Sequence, residues 1–191
     1  MNGGGNSKGV YNPSNLMLFS YTHNNPVNLV DPDGKDTAVA IGYPTKNNPF
    51  GHVAIAFSKK GVYSYGTKTK PGSSFISYLK KQTTYRDTKI YIIKTTKSQE
   101  SKMLNKIKTY IGKKLPNPKK EPIKSLQDTC AVRTQKTLES GNIKSIFVPF
   151  ISPLPGDTEI IAKQNSKQVF KIKQGGKIPI ILNEFDNKDF K

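Results

Sequence analysis

The sequence predicts a mixed α+β fold, an antiparallel sheet packed against helices, and three observations point to it. Three strand-like runs, "TAVAIGY" (37–43), "GHVAIAF" (51–57) and "VYSYGT" (62–67), follow one another across short connections. Amphipathic helical stretches then alternate with further β-branched runs, and no βαβ series appears. The chain has 191 residues and 34% hydrophobic content, enough to bury one core of ordinary size.

Taken in order, residues 1–36 are dense in Asn, Gly and Pro ("NGGGNS", "NPSN", "HNNPVN", "DPDGKD"), which form turns rather than cores. Between them only "LMLFSY" (16–21) has strand character. After the first two strands, "SKKG" (58–61) reads as a hairpin turn into the third. "SSFISYLKKQ" (73–82) has helical spacing with Ser at its start, and "TKIYIIKTT" (88–96) is β-branched with polar ends. "SQESKMLNKIKTYIG" (98–112) places Met103, Leu104, Ile107 and Ile111 on one helical face and stops at Gly112. "KKLPNPKKEPIK" (113–124) reads as a loop. A helix is expected from Asp128 or Thr129 to Gly141, with Gly141 as its left-handed cap. A short helix capped near Asp157, strands in "SKQVFKIKQGG" and "KIPIIL", and a polar tail complete the chain.

The formal net charge is +18, from 31 Lys and Arg against 13 Asp and Glu. Such a surplus suits a nucleic-acid backbone, an anionic membrane surface or an acidic protein partner. Arginine occurs only at Arg86 and Arg133, which argues against readout of specific bases by guanidinium forks. No stretch has the length and apolarity of a transmembrane segment, and the N-terminus lacks a secretory h-region. One cysteine excludes an internal disulfide. Phosphate loops, dinucleotide fingerprints and paired-histidine metal motifs are missing, and carboxylates are scattered. No cofactor and no metal are therefore expected.

Two residues remain that can carry chemistry together. His52 opens the second strand, sharing a face with Ala54 and Ala56 while Val53, Ile55 and Phe57 face the other way. The small residues beside it leave room for something to approach. Cys130 sits at the expected start of a helix, where amide dipoles lower a thiol pKa. It reads either as a small buried hydrophobe or as a nucleophile. A cysteine and a histidine so placed are the two parts of a cysteine hydrolase, in which a third polar group orients the imidazole. Ser64, twelve residues on and of the same strand parity, is the first candidate; Tyr65 and Gln82 follow.

"NPSNLMLFSYTHNNPVNLVDPDGKD" (12–36) resembles the end of an Rhs-repeat core, on Asn15, Phe19, Tyr21, Asn24, Asn25, Pro26, Asp31, Pro32 and Gly34; Leu29 stands where an aromatic is usual. The resemblance implies a non-globular Rhs tail over residues 1–35 and a polymorphic toxin domain over 36–191. It also implies delivery from an Rhs shell into a target cell by contact-dependent or type VI secretion machinery, a route that needs no Sec signal. "VAIGYP…NPFGHVAIAF…GVYSYG", followed later by "TCAVRTQKTLESGNI", resembles a circularly permuted papain-like fold of the NlpC type, with the cysteine helix after the histidine strand. That implies Cys130 as nucleophile and His52 as base. Ser64 falls where the family often carries His, Asn, Asp or Gln.

The expected function is a secreted antibacterial toxin acting by cysteine hydrolysis or acyl transfer on an amide or ester. Peptide, peptidoglycan and lipid ester substrates all remain open. The expected partner is an acidic immunity protein. The alternative is a basic, metal-independent RNase in which His52 is an acid/base and a lysine or Arg86 holds phosphate. A pore-forming or binding module has little support, since no amphipathic membrane segment stands out.

Overall fold

A computed structural model describes residues 36–187. The expected Rhs tail, the "LMLFSY" strand and the last four residues lie outside the described residues. The fold is α+β: one open antiparallel sheet of five strands in the order β3-β2-β1-β4-β5. The strands are β1 (Asp36–Gly42), β2 (His52–Phe57), β3 (Gly61–Ser64), β4 (Thr88–Lys94) and β5 (Gln168–Ile172). The helices are α1 (Phe75–Thr83), α2 (Lys97–Lys108), α3 (Pro122–Gln127), α4 (Cys130–Ser140) and α5 (Pro155–Asn165), with a 3-10 turn at Ile180–Phe185.

Both faces of the sheet are covered, so its central strands are apolar throughout rather than alternating with polar residues. The alternation is instead one of size. Val39, Ile41, Val53, Ile55, Phe57, Tyr91 and Ile93 pack on α2, α4 and α5, while Ala38, Ala40, Ala54 and Ala56 face α1 and the 3-10 turn. The alanines let Phe75, Tyr78 and Leu79 of α1 lie close to the sheet. The room inferred beside His52 is thus largely filled by the protein's own helix.

Most expected elements form, and their ends show what the local pattern missed. Thr96, two residues ahead of the expected stretch, caps α2 through a reciprocal capping box with Gln99. The helix ends at Lys108, so Ile111 is exposed instead of extending the buried face. Gly141 is not left-handed; that conformation belongs to Asn142, at φ 59°. What position 141 requires is space, since a Cβ there would lie 2.8 Å from Met103 Cγ on α2. Part of the expected 113–124 loop becomes α3, with Pro122 at a first-turn position where its missing N–H costs nothing. Likewise α5 opens at Pro155, and Asp157 lies within its first turn, where it accepts from the Ser152 hydroxyl.

"KIPIIL" is not a strand. Asp186 accepts from Ser74 Oγ and from the Ile76 amide at the start of α1, at 3.1 and 2.9 Å. The chain is thereby drawn over α1 as a 3-10 turn, with Leu182 and Phe185 buried. Part of the expected polar tail is therefore a packing element.

Arg133, one turn into α4 and 1% exposed, fastens that helix. Its Nε and Nη2 each donate to Asp128 at 2.7 Å, and Nη1 donates to the Lys113 carbonyl at 2.9 Å. The guanidinium also lies over Tyr65 and Tyr110, 4.7 and 5.0 Å from their ring centroids. Removing one partner of such a pair leaves a buried charge uncompensated. Arg133→Ala is expected to lower unfolding stability by about 3 kcal/mol, read from urea denaturation. The exposed Lys124→Gln is expected to leave the urea midpoint where it was.

Candidate active site

The site lies at one end of the sheet, where β1 stops at Gly42, β2 begins at His52 and β3 stops at Ser64. Antiparallel pairing puts Gly42 opposite His52 and Ser64 opposite Ala54. Ser64 therefore falls on the His52 face, one pair further along. The ring Nε2 and Ser64 Oγ are 2.8 Å apart, and Ser64 Oγ is 3.0 Å from Thr67 Oγ1. The two residues join in one hydrogen-bonded chain, and Thr67 extends it.

The residue before His52 must be glycine. Gly51 has φ 79°, and a Cβ there would come within 2.5 Å of the Gly42 carbonyl. Asn48 Nδ2 donates to the Gly51 carbonyl at 2.8 Å, tying the loop to the start of β2.

Cys130 is the first residue of α4. Thr129 caps that helix, accepting from the Val132 amide, and its hydroxyl donates to the Pro153 carbonyl. Asp128, just ahead, is held by Arg133. The cysteine sulfur faces the amides of Val53, Ala131 and its own residue. Val53 follows His52, so α4 brings the thiol to the same end of the sheet from the opposite face. Among the described residues no hydrogen bond joins the imidazole to the sulfur.

The electrostatics differ from the lowered thiol pKa expected at a helix start. Burial pushes the Cys130 thiol above its ordinary range, against the opposing pull of the three amides and Arg86. The helix start favours thiolate, as expected, but desolvation outweighs it. Burial, and then the Arg86 charge, bring His52 down to about 4. At neutral pH the site thus holds a neutral imidazole and a neutral thiol.

Two further residues belong here that the sequence did not single out for a cysteine mechanism. Tyr78 of α1 approaches Ser64, and burial pushes its phenol up. Arg86, just before β4, lies over Gly42: a Cβ there would be 2.7 Å from Arg86 Cδ. A glycine opposite the histidine was the available signal, since it leaves space for a long side chain on that face. Of the weaker candidates for the third group, Tyr65 donates to the Ile107 carbonyl on the other side of the sheet, and Gln82 is buried in α1. Among the described residues no cluster of three His, Cys, Asp or Glu can hold a metal, and no helix is long and apolar enough to cross a membrane.

A depressed histidine pKa stores pH dependence. The unfolded chain takes up a proton near 6.5 and the folded chain only near 4, so stability is full above about 6.5 and falls as pH drops toward 4. The loss amounts to about 3 kcal/mol. Glu100, pushed up by burial to about 7, works in the opposite sense over the same range, so the loss is expected as a fall in the wild-type urea midpoint relative to that of His52→Gln between pH 7 and 4. Alkylation of Cys130 by iodoacetamide is expected to keep rising beyond the ordinary thiol range, with no plateau near neutrality.

The sequence matches no family model, no curated protein and no solved structure.

Proposed function

We propose that the domain is a cysteine hydrolase or acyl-transfer enzyme with a permuted papain-like arrangement, the toxin part of an Rhs-type effector. The observation that carries the enzymatic reading is the His52–Ser64 hydrogen bond of 2.8 Å at the strand end to which the first residue of α4 brings a thiol. In this reading Nε2–H donates to Ser64, leaving Nδ1 basic. Nδ1 takes the proton of Cys130 as the sulfur attacks the carbonyl carbon of an amide or ester, and then delivers it to the leaving nitrogen or oxygen. Water, or another acyl acceptor, cleaves the thioester. Amides at the start of α4 stabilise the oxyanion.

The neutral resting pair suits a general-base mechanism, in which the proton moves when substrate arrives. An unbonded base and nucleophile before binding is compatible with it, since such contacts often tighten only in the complex. The Rhs reading rests on residues 12–36, and the proposed delivery and target cell follow from it. The +18 charge favours an acidic immunity protein as the neutralising partner.

Expression in susceptible bacteria, with and without the variants, tests the reading. Cys130→Ala and His52→Ala are expected to abolish toxicity. On a cleavable ester, kcat/KM is expected to fall by about 10³-fold or more for either, and about 10-fold for Ser64→Ala, which removes only the orienting bond. Toxicity that survives Cys130→Ala, accompanied by RNA degradation, overturns the hydrolase in favour of an RNase.

A further inference from the structure

We propose that Arg86 is an anion receptor: it takes a carboxylate or phosphate carried by the acyl substrate, close to the bond Cys130 attacks. The proposal rests on the cysteine-hydrolase reading and names the substrate class for it.

The two arginines of the chain make the argument by contrast. Arg133 is buried and saturated by a carboxylate, backbone carbonyls and two aromatic rings. Arg86 is 6% exposed, yet its Nε and Nη1 are buried with no hydrogen-bond partner among the described residues. A guanidinium has five donors and is among the costliest groups to leave so. The adjacent carboxylate does not serve it, because Asp87 is taken by Lys173 Nζ and the Gln174 amide, each at 2.8 Å. The position is nevertheless built. Gly42 gives the side chain its room, and the Tyr85 ring lies 4.7 Å from the guanidinium carbon. Two polar groups near it in the chain share the condition: Thr88 Oγ1 and Gln82 Oε1 are also buried without partners. The hydroxyl can donate to an anion, and the amide can do so when turned over.

The surroundings favour negative charge. Arg86 also lines a cleft of about 670 Å³ beside β4 and β5 that includes Lys46, Lys89, Lys171 and Lys173. Lys89 and Lys173 are paired with Glu159 and Asp87, whereas Lys46 and Lys171 make no ion pair among the described residues. Since Gly42 is directly opposite His52 in the ladder, an anion on Arg86 is anchored one strand from the base. A guanidinium donates N–H bonds to carboxylate and phosphate oxygens alike, so the shared chemistry is an oxyanion group.

Cys130 is the only thiol, which allows a test without knowing the substrate. Alkylation rates are measured with iodoacetate, which carries the anion, and iodoacetamide, which does not. The folded chain is expected to favour iodoacetate about tenfold more than the same chain in urea, as one charge-assisted contact allows. Arg86→Gln is expected to remove that preference, and the exposed Lys102→Gln, which deletes the same charge elsewhere, to keep it. Inorganic phosphate and acetate are each expected to slow iodoacetate, the stronger competitor identifying phosphate or carboxylate as the natural group. Equal preferences in folded wild type and Arg86→Gln overturn the proposal. Should Arg86→Gln not fold, lack of competition by either anion in the wild type overturns it instead. The iodoacetamide rate and its dependence on His52 read the Cys130–His52 pair alone, so failure of the hydrolase reading is seen separately.

Discussion

The pairing of Gly42 with His52 across β1 and β2 is the contact on which the site depends. Because the sheet is buried on both faces, polar side chains within it have little access to solvent, and a site is confined to its ends. At this end a histidine starts one strand while its neighbour stops on a glycine. The missing Cβ admits Arg86 on the histidine face, and the same register sets Ser64 within hydrogen-bond distance of the ring. A shift of one residue would turn His52 into the α4 face and take it from Ser64, Tyr78 and Arg86 together.

A balance of burial and fixed charge follows from that crowding. The same Arg86 that disfavours an imidazolium favours a thiolate, so its charge pulls the two proposed reactants in opposite senses. Desolvation then decides both in favour of the neutral forms. The result is a neutral imidazole beside a neutral thiol. That differs from the lowered thiol pKa expected when a cysteine is considered only with its helix dipole.

The helices are held to this end by contacts from distant parts of the chain. Arg133 joins Asp128, the Lys113 and Lys114 carbonyls and two tyrosines, so the turn that carries Cys130 is braced from several directions. Asp186, near the other end of the domain, caps α1 and so helps place Tyr78. The placement of the site is thus set by contacts from across the domain as well as by the loops around it.

Much of this was legible in the sequence. Strand parity put His52 and Ser64 on one face because the side-chain period of a strand is independent of its partners, and a polar pair before an apolar run marked the start of the Cys130 helix. Hydrophobic spacing likewise located most helices and strands. What the sequence could not supply were quantities set by neighbours far along the chain. "KIPIIL" has strand character, but Asp186 binding to α1 bends it into a 3-10 turn. Gly141 looks like a left-handed cap, yet it is a close-approach residue because α2 passes beside it. The thiol's pKa depends on how deeply the sulfur is desolvated, and Arg86 joins the site only because β1 ends on a glycine opposite His52. Local sequence determined element type and facing; tertiary packing decided burial and charge environment, since both are sums over atoms that the chain brings together only when it folds.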